Sequence, residues 1–314
     1  MKEKFISCDW GTSNFRIRLV DLTSLEVLKE LVSNDGVKFL YKKFALKGKV
    51  DQHSFYLNFL KNKIELLNLN NGNYSIVCSG MASSSLGLKD LPYANFPFDF
   101  SGSSLKIETF KFSAQQNLHL ISGIKNDHGM MRGEEVQAIG LEKYLEDIPS
   151  GTLVLPGTHS KHISFKNGSF TNLSNYMTGE LFDVLSKDSI LSSSVSNHTF
   201  DKKLKESFLE GVNAIKNRSL SSSLFNVRAR QILQQKNKKK NSAYLSGLLI
   251  GDELKTFETK NNYIVLAAPK SLIAQYKLAL KSMVEPKRII ILNPEILETA
   301  LLTGHRKILN LYEH

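Results

Sequence analysis

The sequence predicts an α/β protein of two domains, on three observations. The chain has 314 residues, long for one hydrophobic core. Short apolar, strand-like runs alternate with amphipathic helical stretches throughout. A strand–polar turn–strand unit also occurs twice, once in each half, with tips at residues 9–14 and 157–161. Hydrophobic residues make up 41% and charged residues 23%, the balance of a soluble globular protein. No apolar run approaches the ~20 residues of a membrane helix. The N-terminus has no apolar segment with a small-residue cleavage site, so a cytoplasmic protein is expected. Cys8 and Cys78 both fall in apolar runs and read as buried thiols of a reducing compartment.

Taken in order, strands are expected near residues 4–9, 14–21 and 25–32, the second alternating Phe15, Ile17, Leu19 with Arg16, Arg18. An amphipathic helix fits 51–67, with Phe55, Leu57, Phe59, Leu60, Ile64 and Leu67 apolar. A strand at 74–78 ends on Ser79-Gly80, a Ser- and Pro-rich loop runs to about Phe100, and another strand follows at 118–124. Gly133-Glu134-Glu135 precedes an apolar-periodic run, as a loop entering a helix does. The second half opens with strands at 152–155 and 161–166 and a third through Leu173, the last two joined at Asn167-Gly168, a strong hairpin signal. Helices are expected at about 178–187, 201–217, 222–235 and 242–257. A strand at 263–267, a helix near 270–282, a strand at 288–292 and a helix at 294–305 complete the chain.

The first hairpin tip carries the clearest chemistry. One carboxylate, Asp9, is followed by Gly11, Thr12, Ser13 and Asn14. Glycine lets backbone N–H groups approach phosphate oxygens, hydroxyls and an amide donate, and Asp9 suits Mg²⁺, held through water. The alternative is an ordinary hairpin with a polar turn. A P-loop is excluded, because no G-x-x-x-x-G-K-[ST] follows a strand here. Two such hairpins facing each other would grip a phosphate chain from both sides. The net charge of +11 raises nucleic acid as a partner. However, the basic residues are scattered, and the one cluster, Lys236, Lys238, Lys239 and Lys240, has no interleaved aromatics. It reads as a solvated loop. His159 and His162 form a lone H-x-x-H without added Cys or His, a weak zinc signal.

Six strings then stand out: DWGTSNFR (9–16), MRGEE (131–135), LPGTHSKH (155–162), TGELF (178–182), FNVRAR (225–230) and YLSGLLIGDEL (244–254). In this order, and over nearly the whole chain, they resemble the 2-dehydro-3-deoxygalactonokinase family of the actin/hexokinase-like ATPases. The resemblance implies two RNase H-like domains with mixed five-stranded sheets flanking an ATP cleft. Residues 1–130 would form a sugar-acid and phosphate-binding domain. Residues 131–314 would form a nucleotide-binding domain with a helical insertion at about 178–257. The implied activity is phosphorylation of the 6-hydroxyl of 2-dehydro-3-deoxy-D-galactonate, or a closely related keto sugar acid, with ATP and Mg²⁺. The implied partner is that small molecule, with no nucleic acid and no membrane, and a homodimer is the assembly it allows.

By analogy with a Gly-Asp-Gln segment of related sugar kinases, Glu134 would be the base, with Glu135 the competitor and Asp127 a distant third. The alternative is that these carboxylates only favour a helix N-terminus. The resemblance also points to Gly157, Thr158, Ser160 and Lys161 for ATP phosphates, and to Ala268, Pro269 and Gly247 for adenosine. For Gly247 and Gly251, four apart, close helix packing is the other meaning. Arg16, Gly80, Met81, Ser84, Arg132, Glu135 and Glu180 would contact the substrate, the planar guanidinium of Arg132 suiting its carboxylate. Two departures from the family pattern are Leu88, where an aromatic stands, and Ala267-Ala268-Pro269, which lacks a glycine. The rival readings are a non-enzymatic ATP-binding clamp of the same superfamily and a basic nucleic-acid-binding protein.

Overall fold

Alternate residues of the first strand, Ile6, Cys8 and Trp10, face a hydrophobic core, while Ser7 and Asp9 point to the opposite face. In the computed structural model, which describes residues 3–48, 50–69, 74–197, 199–259 and 261–313, the elements run β1 (Lys4–Trp10), β2 (Phe15–Asp21), β3 (Val27–Ser33), α1 (Val37–Ala45), α2 (Gln52–Glu65) and β4 (Ser75–Gly80). After these come the two-residue strands β5 (Ala94–Asn95) and β6 (Phe98–Asp99), then β7 (Ile107–Lys111), β8 (Asn117–Ile121), β9 (Ile124–Lys125), β10 (Met130–Met131) and α3 (Glu134–Gly140). Next are β11 (Ser150–Leu155), β12 (Ser160–Lys166), β13 (Ser169–Tyr176), α4 (Thr178–Lys187), α5 (Lys205–Ala214), α6 (Leu220–Ile232) and α7 (Lys238–Leu254). The chain ends with β14 (Tyr263–Leu266), α8 (Ile273–Met283), β15 (Ile289–Ile291) and α9 (Pro294–Tyr312).

The chain divides into two units. Unit 1 comprises Met1–Pro149, Lys166–Leu173 and Glu295–His314, and unit 2 comprises Ser150–Phe165 and Ser174–Pro294. This differs from the expected division at residue 130. Helix α3, expected at the start of the second domain, lies in unit 1, and α9 returns to unit 1 from the far end of the sequence.

The main sheet of unit 1 has the order β3-β2-β1-β4-β8-β7. The first three strands are antiparallel, and β1, β4 and β8 are parallel. Its sixth strand, β7, pairs antiparallel with β8 at the edge, so the sheet exceeds the expected five. The core lies between one face of the sheet and helices α1 and α2. Trp10 packs edge-on against Phe15 at 4.8 Å and Tyr56 at 5.4 Å, contacts worth about 0.5–1.5 kcal/mol each beyond burial. Helix α2 starts where Asp51 accepts a 2.8 Å bond from Ser54 N–H, and it buries Tyr56, Leu60 and Ile64 at helical spacing. Cys8 and Cys78 are free, buried and opposite each other on β1 and β4.

A second sheet repeats the pattern. Strands β11, β12 and β13 are neighbours joined by tight turns, and β14 and then β15 add in parallel beside β11. Asn167 (φ 47°) and Gly168 (φ 77°) both take the positive φ of the turn their dipeptide predicted. Helices α4–α7 lie between β13 and β14 in the chain, where the helical insertion was expected. Asn237 caps α7 by accepting from the amides of Lys239 and Lys240.

Candidate active site

The two units carry separate sets of candidate residues. In unit 1, β1 delivers Asp9 beside Arg16 on β2 and Ser79 on β4. Burial raises the Asp9 carboxyl above its ordinary range. The charges of Arg16 and Arg18 pull it back down, and that of Glu134 pushes it up again. Thr12, Ser13 and Asn14 are exposed at the turn, which Gly11 N–H closes by bonding Asn14 O at 2.9 Å. The carbonyls of Gly11 and Thr12 accept from Val37 and Lys38 at the start of α1. The turn therefore rests on a helix end and presents its side chains outward. Arg16 is 41% exposed and only 3.8 Å from Glu30, whereas Arg18 holds Glu30 at 2.6 Å.

Two glycines bring the start of α3 close to the end of β4. Gly80 closes β4 at φ 86°, where a Cβ would sit 2.8 Å from Trp10 O. Gly133 precedes α3 at φ 107°, and a Cβ there would meet the Gly80 Cα at 3.4 Å. Both positions demand glycine, and together they let the turn before α3 lie against the end of β4. Glu134, partly exposed, enters α3 there with its charge acting on both Asp9 and Glu135.

Two residues expected to touch substrate make bonds inside unit 1. The buried Glu135 accepts from Gly133 N–H with both oxygens, at 2.8 Å each. Burial, helped by Glu134's charge, pushes its carboxyl up to about 8. Arg132 is 6% exposed. It donates to Ser83 Oγ at 2.7 Å, to Ser83 O, to Leu91 O and to Tyr93 OH, and stacks over the Tyr93 ring. It braces the loop after β4 against the turn before α3. Of the other candidates in that loop, Met81 is partly buried and Ser84 bonds Met81 O at 2.7 Å. Leu88 lies in the core of unit 1, so the departure from an aromatic there is a change in core packing.

Sequence reasoning missed His305 of α9. It is fully buried, with Nδ1 2.8 Å from Ser7 Oγ and Nε2 2.9 Å from Ser79 Oγ. Burial, with Arg18's charge, lowers its pKa from 6.5 to about 3. The imidazole is neutral and offers one donor and one acceptor to the two hydroxyls. An unfolded chain takes up this proton near pH 6.5 and the folded protein only near 3. The stabilisation is thus complete above about 6.5 and is lost as pH falls through that window, at up to ~1.4 kcal/mol per pH unit. In urea unfolding from pH 7 to pH 4, His305→Gln should flatten this acid limb. An unchanged limb would show that another group governs it.

Unit 2 centres on a cavity of about 360 Å³ lined by Gly157, Gly179, Phe182, Ser246, Leu272 and Gln275 among others. Gly179 brings the start of α4 onto the second hairpin turn: a Cβ would lie 2.7 Å from Gly157 O and 2.8 Å from Thr158 Cα. Beneath this turn sits the buried Glu253, which accepts from Tyr276 OH at 2.7 Å and from Thr178 Oγ1, and meets His162 Nε2 at 2.9 Å. Tyr276 OH also meets Ser160 Oγ at 3.1 Å. This polar base holds the turn, the α4 start and α8 in one arrangement. His162 belongs to it and stacks on Phe257. Among the described residues no group of three His, Cys, Asp or Glu is placed to hold a metal.

Several unit 2 expectations move. Lys161 is buried and donates to His159 O at 2.6 Å, inside its own turn. Glu180 pairs with His159 across the turn. A Cβ on Gly247 would lie 2.0 Å from Phe208 O, so Gly247 serves the packing of α7 on α5, while Ser246, Leu249 and Ile250 line the cavity. Ala268 is buried in the core, and neither it nor Pro269 lines the cavity. Ser271, Leu272 and Gln275, a few residues on, do. In this segment the chain thus lines the cavity only after Pro269.

The model of the 2-keto-3-deoxy-galactonokinase family matches residues 9–299. The 2-dehydro-3-deoxygalactonokinase of Escherichia coli (strain K12) is 28% identical over 291 residues, covering 90% of this chain and 91% of that protein. A crystal structure from Sinorhizobium meliloti, described as a candidate 2-dehydro-3-deoxygalactonokinase, superposes with a TM-score of 0.79 at 24% identity, covering 97% of this chain and 99% of that one. That superposition establishes the fold, and the family model spans most of the sequence: this chain belongs to the 2-keto-3-deoxy-galactonokinase family.

Proposed function

We propose that this chain is a kinase that transfers the terminal phosphoryl group of ATP, with Mg²⁺, to the 6-hydroxyl of 2-dehydro-3-deoxy-D-galactonate or a closely related keto sugar acid. The observation that carries the reading is that the turn before α3, which leads into Glu134, packs on the end of β4 next to Asp9's strand, near enough for Glu134's charge to act on Asp9. Phosphoryl transfer to an alcohol requires little beyond alignment, a metal-binding carboxylate and an acceptor for the hydroxyl proton. Glu134 takes the proton from the attacking hydroxyl. Asp9 suits Mg²⁺, which usually takes one or two carboxylates, substrate phosphates and water rather than an all-protein cage. When bound, the ion neutralises charge on the phosphate oxygens. Thr12, Ser13 and Asn14 offer phosphate donors from unit 1. Arg16, only 3.8 Å from Glu30 and 41% exposed, offers a cation to an anionic substrate there.

The unit 2 cavity takes the nucleoside, with the turn through Gly157, Thr158 and Ser160 at its phosphate end. Phe182, Leu272 and Leu249 supply apolar surface, while Ser246 and Gln275 supply polar contacts. A prediction follows for Gly179. Its Cβ has no room against the turn backbone, so Gly179→Val should raise the dissociation constant for ADP by about 10-fold or more, with the keto acid KM unchanged. Calorimetric titration with ADP checks it. The kinase reading itself is tested by ADP release with MgATP and a panel of 2-keto-3-deoxy sugar acids. Release that no member of the panel stimulates would overturn it in favour of an ATP-binding clamp.

A further inference from the structure

We propose that helix α9 is the positioning clamp of the unit 1 site. In this reading His305 locks the strand ends that carry Asp9 and Gly80, and the adjacent Gly304 seats the helix that carries Glu134. The inference rests on Asp9 and Glu134 being the catalytic carboxylates. Ser7 precedes Asp9 by two residues on the same face of β1, and Ser79 is Asp9's register partner on β4 and the residue before Gly80. The His305 imidazole bonds both hydroxyls, at 2.8 and 2.9 Å. It therefore spans the parallel β1–β4 pair just behind the residues that must be aimed.

The same turn of α9 grips α3 by its backbone. A Cβ on Gly304 would lie 2.1 Å from Val136 O, and a Cβ on Gly140 would lie 1.8 Å from Ala300 O. Such a contact leaves no slack, and close-packed interiors pass displacement on rather than absorb it. Further along, Arg306 donates to Thr23 O at 2.9 Å beyond β2, and Glu313 meets Ser75 at the start of β4 and His119 in β8. The last segment of the sequence is thus anchored to each element that carries a candidate catalytic group of unit 1. Partners that orient a reacting group typically cost 10–100-fold when removed.

Three variants of the full chain test this. His305→Leu removes both bonds at similar volume, His305→Gln can restore a donor and an acceptor, and Ser79→Ala deletes one bond without adding bulk. In His305→Leu, kcat should fall about 10–100-fold with the KM for ATP unchanged, and His305→Gln should recover most of the loss. Hydrogen exchange should speed up at the amides of Asp9, Gly80 and Gly133 in His305→Leu and Ser79→Ala, and stay constant in unit 2. Wild-type kcat in His305→Leu would overturn the clamp, as would unchanged exchange at those amides. Failure of His305→Gln to rescue would also overturn it, reducing His305 to packing. If His305→Leu does not fold, Ser79→Ala carries the exchange and kcat arms. If wild-type protein phosphorylates no keto sugar acid, the kinase reading falls, and the exchange measurement still decides the clamp.

Discussion

Glu134→Gln should lower kcat by roughly 10²–10⁴-fold, the range for loss of a general base, while binding of sugar acid and ATP survives. Glutamine keeps the shape and hydrogen bonding of Glu134 and loses only the basic charge. A loss confined to KM would instead mark Glu134 as a binding group. The neighbouring carboxylate provides a second readout. Glu134's charge helps hold Glu135 at about 8, so removing that charge should let Glu135 ionise at lower pH, visible in a carboxyl-carbon NMR titration. Glu135→Gln is the control. Its amide oxygen can still accept from Gly133 N–H, so turnover should stay near wild type. Abolished kcat in Glu135→Gln beside normal turnover in Glu134→Gln would move the base by one position.

Asp9→Asn should lower turnover by about 10²–10³-fold, the cost of deleting one preorganised electrostatic group, and should shift the Mg²⁺ dependence to higher concentration. Stability is the internal check. Burial already opposes the Asp9 charge, so a neutral amide of the same shape should leave the thermal midpoint unchanged or slightly raised. Near-normal activity with unchanged Mg²⁺ dependence would remove Asp9 from the site.

The hairpin around Asp9 was legible because its cues are local. Alternation gave the strands, and small polar residues gave an exposed turn whose register is set by its neighbours. The same holds for Asn167-Gly168, where the dipeptide itself dictates positive φ. Strand β7 was not legible, because Ile107–Lys111 is a five-residue edge strand with no fully buried position. The internal bonds of Arg132 and Lys161 were not legible for a different reason. A cation in a polar turn suits an anionic ligand or an internal acceptor equally well, and only the fold brings Ser83, Leu91 and Tyr93 around Arg132 and folds Lys161 back onto His159 O.

The sequence by itself determined the α/β class, the duplicated hairpins, the family, and the short strings that bring Asp9 and Glu134 into consideration. Each of these depends on spacing along the chain or on side-chain chemistry within a few residues. Tertiary structure decided which side chains are open and which are consumed. It decided that α3 and α9 join the first unit, that the cavity takes Ser271, Leu272 and Gln275 rather than Ala268, and that His305 stands behind Asp9. These outcomes depend on contacts between residues far apart in sequence, such as Ser7 with His305 and Gly80 with Gly133. No local pattern encodes such contacts, because they exist only once sheet and helices have packed.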